Sequence, residues 1–442
     1  MESKWIKRVV LLALLGLLLI FSFLLRIMYI ENTKIIAPIR ADARSYVVLA
    51  LNLAEHHVYS SAKFPAYSDT AEQWPPGFPL LMSFIYSASK SFGGFYWTTL
   101  LIQSFLGALT ALLSFYLARR MLPDPWAFLL ACAVSVSPFM VVISAYLLTE
   151  TLFTFLLILS LLLLIMAREQ DSFVLHALAG LAMGLCILTR PAIAAFPVIW
   201  FAAFALYDHG GNLRRSVLCG LLFIVLSFSF QTGWSLWRRS LVASPSSDQI
   251  KKLVLLGSYP DLIFKDAQMR GYPYLEDPSF NKYLRSYPSV ISHIESDFRL
   301  EPMRYFLWYL RKPLYLWSGN DLSLDGLNFY PVSKSWFDTN PAMGALKKTF
   351  QSIQPYLFLV AFLGGGVLFF YPGKSRSMPD KVYAFKVCFV LLFEYTLMFI
   401  VLAPVPRYAI PLVPVMYLLA LFVIYNSLKP LKKRLSWKPF SS

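Results

Sequence analysis

Two acids and two arginines stand at the edges of apolar segments, in parts of the chain that are far apart. They are Asp42, Glu150, Arg190 and Arg407. Charged side chains within or beside membrane-length apolar segments are costly and usually have a partner or a function. A carboxylate can accept a proton, and a guanidinium can bind a phosphate through two parallel hydrogen bonds. If the four side chains meet, they can form a site in which a phosphate lies beside a proton acceptor.

Each of these residues also has a purely structural explanation. Asp42 can be the N-cap of a helix over residues 43–57. Glu150 can be a first-turn acid that complements a helix dipole, and the two arginines can bind lipid phosphates at the interface. Unrelated boundary charges should fall on both faces of a membrane, whereas these four are predicted below to share one face. The shared face favours a site.

The elements that must position these residues are membrane-spanning helices. Hydrophobic residues make up 57% of the 442 residues and charged residues 14%, against roughly a quarter charged in soluble domains. Long apolar stretches recur at about the 20 residues that a spanning helix needs. The composition predicts an all-α polytopic membrane protein. The net charge of +16 is then explained by the inner membrane face and anionic lipids, and no nucleic-acid partner is expected.

Window hydropathy predicts about ten spans. They run approximately over 7–29, 95–118, 125–143, 146–166, 173–189, 191–207, 216–237, 352–371, 382–402 and 409–427. The short apolar stretch 76–92 suits a helix packed at the interface. With ten spans, every basic cluster at a span end falls on one side, which the positive-inside rule makes cytoplasmic. Both termini are then cytoplasmic, and the four candidate residues lie at the extracytoplasmic boundary.

This topology divides the chain into four parts. Residues 1–237 form a transmembrane module whose first extracytoplasmic loop is 30–94. Residues 238–350 form an extracytoplasmic loop or small domain, in which Arg304, Arg311 and Lys312 are expected on a solvated basic face or as guides for anionic ligands. Residues 351–428 form the C-terminal transmembrane helices, and 429–442 form a basic cytoplasmic tail.

The segment after Asp42 has the pattern of a helix that lies in the membrane interface. A mostly polar stripe follows Asp42 at helical spacing, and the opposite face is apolar. Tyr46 on this helix and Tyr408 beside Arg407 are aromatic hydroxyls that either support the site by hydrogen bonding or pack in an aromatic belt. His56 and His57 point about 100° apart on a helix, so two ligands to one metal are not expected there.

The ordered motifs resemble the GT-C superfamily of polyprenyl-phosphate-sugar-dependent glycosyltransferases. They are similar to bacterial members related to protein O-mannosyltransferases and to the lipid A aminoarabinose transferase. The motifs are "ADARSYVVLALNLAEHHVYS" (41–60), "WPPGFPLLMSFIYSASKSFGG" (74–94), "LLTETLFTFLLILSLLL" (147–163), "LCILTRPAIAAFPVIW" (185–200) and "PRYAIPLVPVMYLLALF" (406–422). The resemblance covers the first seven predicted spans and the last one.

The resemblance implies a fold, a reaction and residue roles. It implies a GT-C bundle in the bacterial inner membrane that transfers a hexosyl or pentosyl group from undecaprenyl phosphate to an extracytoplasmic lipid, glycan or protein acceptor. Asp42 matches the catalytic aspartate, Arg190 and Arg407 match carrier-phosphate ligands, and Glu150 matches a supporting acid. Many relatives have Asp-Glu where this chain has Asp42-Ala43, so we expect a metal-independent reaction and no cofactor, with a divalent metal as the alternative.

The general chemistry agrees with these roles. No Walker loop and no GxGxxG after a strand occurs in the chain, so nothing indicates a nucleotide donor. Direct displacement with Asp42 as general base would invert the anomeric centre. The alternatives are a flippase for lipid-linked sugars, which should tolerate Asp42→Asn, and an O-antigen polymerase or ligase, which would depend on arginine and histidine.

Overall fold

The computed structural model of the chain describes residues 2–61, 74–89, 91–205, 213–239, 248–260, 277–318, 329–370 and 380–435. These residues are almost entirely helical, which confirms the predicted all-α membrane fold. The tail residues 436–442 of the predicted cytoplasmic segment lie outside the described residues.

In the first half of the chain, the described residues form ten α-helices. They are α1 Glu2–Asn32, α2 Ala41–His56, α3 Gly77–Ala88, α4 Phe92–Arg119, α5 Asp124–Val136, α6 Pro138–Val142, α7 Glu150–Glu169, α8 Phe173–Thr189, α9 Phe196–Trp200 and α10 Leu213–Arg239. Short 3₁₀ turns follow α6 at Ile143–Ala145 and α8 at Pro191–Ile193.

The part of the second half that the structure describes forms ten further α-helices. They are α11 Asp248–Ser258, α12 Phe280–Tyr283, α13 Tyr287–Leu300, α14 Pro302–Leu316, α15 Trp336–Thr339, α16 Pro341–Leu359, α17 Gly365–Phe370, α18 Asp380–Val401, α19 Pro406–Ala409 and α20 Val413–Leu435. A π-helical turn at Val360–Gly364 joins α16 to α17. The long segment 238–350 therefore contains several short helices, and it has a small apolar core of its own around Leu255, Phe280 and Val290.

Among the described residues, seven helices are long and apolar enough to cross a membrane. An eighth span results if α5 and the bent segment Pro138–Ala145 are counted together, with 52° between them. The bend follows from Pro138, because a residue before proline avoids helical backbone angles. The predicted spans 173–189 and 191–207 correspond to shorter helices. At 17 residues α8 is about 25 Å long, below the ~30 Å hydrocarbon thickness.

The spanning helices differ in how much of their surface the protein buries. Helices α7, α18 and α20 are mostly buried, whereas less than a third of the most apolar stretch of α1, of α10 and of the span that begins with α16 is buried. The end of α7 opposite Glu150 carries ion pairs, in which Arg168 bonds Asp380 at the start of α18 and Arg120 bonds Glu169. The basic residues at these helix ends and the candidate site are thus at opposite ends of the central helices.

A two-stranded antiparallel sheet joins the two long connecting segments. β1, Lys34–Ile35, pairs with β2, Val332–Lys334. The Ile36 amide also donates a hydrogen bond of 2.8 Å to the Pro331 carbonyl. The sheet holds the segment before β2 against the start of α2, where Asp42 lies.

Candidate functional site

Asp42 lies in the first turn of α2, but it does not cap the helix. Arg40 is the N-cap residue, and no side chain accepts a capping bond there. Ala41 has a φ of 44°, a left-handed conformation that is strained for a residue with a Cβ. The Ala43 amide donates to the Tyr330 hydroxyl at 3.2 Å. The capping explanation of Asp42 is therefore wrong, and its carboxylate is available to the site.

The other three charges are brought to Asp42 by the ends of separate helices. Glu150 is the first residue of α7 and is completely buried. Arg190 follows the last residue of α8, where Pro191 ends the helix. Arg407 lies in α19, one short turn before α20. Hydropathy alone predicted a span beginning at 146, whereas the 3₁₀ turn at Ile143–Ala145 delays the helix until Glu150.

The four charges form one continuous chain of charge-assisted hydrogen bonds. Arg407 donates from Nη1 to Asp42 Oδ2 at 2.9 Å and from Nε to Glu150 Oε1 at 2.5 Å. Arg190 donates from Nη1 to the same Glu150 oxygen at 2.8 Å and to Thr149 Oγ1 at 3.4 Å. Glu150 is thus shared by both arginines, and Arg407 connects the buried acid to the more exposed one. The side chain of Asp42 is 35% exposed, against 14% for Arg407.

The charges of the site balance before any ligand binds. Two carboxylates face two guanidinium groups, and a buried charge of either sign would be costly if it were unpaired. Burial lowers the pKa of Arg190, but the Glu150 carboxylate together with the nearby Tyr395 and Tyr46 outweighs burial, so the pKa is raised overall. Within the part of the chain that the structure describes, neither Nη2 of Arg407 nor Nη2 of Arg190 makes a hydrogen bond. Both Nη2 groups are therefore left to donate to an anionic ligand.

Aromatic rings line the two arginines. The Arg190 guanidinium lies 5.1 Å from the centre of the Tyr408 ring, and the Arg407 guanidinium lies 5.5 Å from that of Phe329. Tyr46 packs edge-on against Trp74 and Phe78. Burial raises the pKa of Tyr46, so its phenol remains protonated at neutral pH. Of Asp42 and Tyr46, which both lie on α2, Asp42 is the one suited to accept a proton.

The Pro-Pro-Gly and Thr-Arg-Pro motifs contact each other directly. A Cβ at Gly77, where α3 begins, would lie 2.5 Å from Thr189 Oγ1 and 2.8 Å from the Thr189 backbone nitrogen. Thr189 immediately precedes Arg190. The glycine is therefore needed for the close approach of α3 to the end of α8, which places Arg190.

Gly77→Ala is expected to destabilise the protein by about 1–3 kcal/mol, because the new methyl group must displace backbone atoms. Thermal unfolding of the purified protein in detergent would measure the effect as a lower Tm. Gly93→Ala is the matched control, since a Cβ at Gly93 meets nothing within 4 Å. Equal melting temperatures for the two variants would contradict this assignment.

The sequence did not reveal two residues of the site, Phe329 and Tyr330. Both come from the long segment 238–350, where no spacing or motif marks them. Arg26 of α1 is a buried arginine within a candidate span. It donates to Ser22 Oγ at 2.6 Å and to the Ser135 carbonyl at 3.3 Å, and it makes no ion pair with any described residue. It ties α1 to α5 and does not bond any of the four charges.

The two histidines after Asp42 have different surroundings. His56 lies 3.7 Å from Glu55, and His57 is the left-handed C-cap of α2. Within the described ranges, no three His, Cys, Asp or Glu side chains are grouped so that they could hold a metal ion. Whether the reaction uses a metal stays a prediction.

Comparison with known proteins agrees with this fold. Residues 74–237 match the family described as dolichyl-phosphate-mannose-protein mannosyltransferase, a range that includes Glu150 and Arg190 but neither Asp42 nor Arg407. A search of curated proteins gave no match.

Several solved structures are similar over nearly the whole chain. The archaeal oligosaccharyltransferase AglB from Archaeoglobus fulgidus, in complex with an inhibitory peptide and a dolichol-phosphate, is 14% identical, with a TM-score of 0.51 over 99% of this chain and 53% of its own. The apo form of the Archaeoglobus fulgidus oligosaccharyltransferase is 17% identical, with a TM-score of 0.51 over 99% of this chain and 54% of its own.

A third structure, ArnT from Cupriavidus metallidurans bound to undecaprenyl phosphate, is 14% identical, with a TM-score of 0.42 over 100% of this chain and 82% of its own. The chain spans about half the length of the oligosaccharyltransferases that it matches.

The fold is that of the GT-C class of multi-pass membrane proteins. The family match over 74–237 and the similarity to these solved structures agree with the resemblance that the motifs indicate.

Proposed function

We propose that the protein is a membrane glycosyltransferase that moves a sugar from a polyprenyl phosphate carrier to an acceptor hydroxyl. The observation that carries this proposal is the chain of contacts from Asp42 through Arg407 and Glu150 to Arg190. It combines a partly exposed carboxylate with two arginines that have unused donors. The similar archaeal oligosaccharyltransferase AglB is bound to a dolichol-phosphate, which supports a lipid phosphate ligand here.

In this proposal, Arg407 and Arg190 bind the carrier phosphate. Their Nη2 groups make no hydrogen bond to any described residue, so they can donate to phosphate oxygens without breaking the bonds to Glu150. A guanidinium stays charged at any physiological pH and matches phosphate geometry. As the bond between the sugar and the phosphate breaks, negative charge grows on the leaving oxygen, and positioned arginines stabilise it.

Asp42 acts as the general base. Its Oδ2 accepts from Arg407, whereas Oδ1 makes no hydrogen bond to any described residue and can accept the acceptor hydroxyl proton. The acceptor oxygen then attacks the anomeric carbon, the carbon–oxygen bond to the phosphate breaks, and the electron pair leaves with the carrier phosphate. The proton ends on Asp42. A single displacement of this kind inverts the anomeric centre.

The location of the site suits a donor with a lipid tail. Glu150 and Arg190 lie at the ends of α7 and α8, Arg407 lies in α19 just before α20, and Asp42 lies in the first turn of α2. None of the four is in the middle of a candidate span. A polyprenyl chain in the bilayer would keep its phosphate at this level. We place the site on the extracytoplasmic side of a bacterial inner membrane, on the positive-inside argument. The acceptor is a lipid, glycan or protein hydroxyl.

Arg407→Met tests this proposal. Loss of the guanidinium should weaken undecaprenyl phosphate binding by roughly 10–100-fold, because a charge-assisted hydrogen bond contributes about 1.5–3 kcal/mol. Arg407→Lys should recover only part of the affinity, since an ammonium lacks the planar fork. Binding can be measured with the purified protein in nanodiscs.

The matched control is Arg304→Met, an exposed arginine of α14 that pairs with Glu301. It should bind the carrier as the wild type does. Unchanged carrier binding by the correctly folded Arg407→Met variant would overturn the proposed function.

A further inference from the structure

The segment between α18 and α19 is only four residues long, and it leads directly to Arg407. Helix α18 ends at Val401, and α19 begins at Pro406. The last carbonyls of a helix have no partner within the helix and need donors from elsewhere. Pro404 and Pro406 restrict the backbone of this segment. Because this connection is short and restricted, a shift of the end of α18 also shifts Arg407.

Lys312 of α14 supplies donors to this helix end. Its Nζ donates to the Ile400 carbonyl at 2.7 Å and to the Leu402 carbonyl at 3.3 Å. The side chain is fully buried, with Nζ 4.0 Å from the centre of the Tyr309 ring. The expectation that Lys312 lies on a solvated basic face is therefore wrong. A cation at this position also complements the negative end of the α18 dipole.

Burial lowers the pKa of Lys312 to about 7. The two carbonyl bonds do not depend on its protonation, because a neutral amine still has two N–H donors and an ammonium has three. The contact is therefore a fixed tie between α14 and the end of α18.

A second contact meets the same backbone from α11. A Cβ at Gly257 would lie 2.6 Å from the Leu402 carbonyl carbon and 2.8 Å from the Val401 carbonyl oxygen. The Gly257 carbonyl in turn accepts from Trp308 Nε1 at 2.9 Å, and Trp308 packs with Ala403. Helices α11 and α14 thus both contact the backbone of residues 400–403.

We infer that Lys312 and Gly257 are positioning residues, which set the place of Arg407 relative to Asp42 and Glu150 and so control binding of the carrier phosphate. The inference rests on the proposed function. It assigns the helices of the long segment 238–350 a role in donor binding, although none of the four charges comes from that segment. Neither residue touches the phosphate itself in this proposal.

The experiment compares Lys312→Met with Lys251→Met, using undecaprenyl phosphate as the probe and protein in nanodiscs. Lys251 is a matched control, because it is also buried in the same helical segment and donates at 3.4 Å to the Leu284 carbonyl, away from residues 400–405. Lys312→Met should weaken carrier binding by about 10-fold, within the 5–150-fold range of coupled sites. Lys251→Met should bind as the wild type, and Lys312→Arg should recover part of the loss.

A double variant shows whether Lys312 acts through Arg407. Lys312→Met combined with Arg407→Met should bind no more weakly than Arg407→Met alone, since residues that act on one contact are not additive. If Lys312→Met does not fold, Gly257→Ala is the second probe, because its methyl group displaces Leu402 without removing a donor, and the same loss is expected.

Wild-type carrier binding by Lys312→Met, or by Gly257→Ala where that variant replaces it, would overturn the inference. Equal losses of carrier binding in Lys312→Met and Lys251→Met would also overturn it. So would additive losses of carrier binding in the double variant. These are distinct from failure of the proposed function, in which Arg407→Met itself binds the carrier normally.

Discussion

Asp42→Asn is expected to reduce sugar transfer by about 10²–10⁴-fold, the usual contribution of a positioned general base. Asparagine keeps an oxygen that can accept from Arg407, so the 2.9 Å contact and the local fold should survive. Carrier binding should therefore remain within a few-fold of the wild type. Transfer can be followed by mass spectrometry of envelope glycans in cells that express the wild type or the variant, and binding with the purified protein.

The control for this variant is Asp338→Asn. Asp338 of α15 belongs to the same long segment as Tyr330 and pairs with Lys347 at 2.9 Å, but it takes no part in the four-charge chain. It should leave transfer unchanged. If cells with the Asp42→Asn protein had wild-type envelope glycans and the variant bound the carrier normally, Asp42 would not be the general base, and that tolerance is what a flippase predicts.

The meeting of the four charges could be predicted because each lies at the end of an apolar segment. The number of predicted spans that precede each charge then places all four on the same face of the membrane. Asp42, Arg190 and Arg407 are separated by long stretches of sequence, yet the structure joins them through Glu150. The sequence does not indicate which acid pairs with which arginine. Nothing in the spacing indicates that both arginines share one oxygen of Glu150.

Other features depend on tertiary packing, which a hydropathy pattern does not record. Helix α14 has apolar and basic residues that suit either lipid or protein, and only its docking on α18 decides that Lys312 is buried while Arg304 and Arg311 are exposed. Tyr330 reaches α2 because β1 and β2 pair across the chain. The delayed start of α7 is equally invisible to a window average, since Ile143–Ala145 has no charged residue that would mark a boundary.

Glu150 holds the site together more than any other residue. It is completely buried and accepts from both arginines, whereas Arg190 has no other carboxylate partner among the described residues. Removing one member of a buried ion pair leaves an uncompensated charge, which costs about 3–5 kcal/mol. Glu150 is thus best understood as the residue that fixes both phosphate ligands, and its loss should affect stability and binding together.

Glu150→Gln is therefore expected to lower the free energy of unfolding by about 3–5 kcal/mol and to weaken carrier binding at least as much as Arg407→Met does. Thermal unfolding in detergent and undecaprenyl phosphate binding in nanodiscs measure the two effects. Adding Arg190→Met to Glu150→Gln should restore part of the lost stability, because it removes the guanidinium that the first change leaves unpaired. It should not restore binding, since a phosphate ligand is then absent.

Glu169→Gln at the opposite end of α7 is the matched control for this prediction. Glu169 pairs with Arg120, and its side chain is 17% exposed, so water can compensate part of the lost bond. We expect a smaller loss of stability and normal carrier binding. If Glu150→Gln were as stable as Glu169→Gln and bound the carrier equally well, Glu150 would not be the residue that fixes the two arginines.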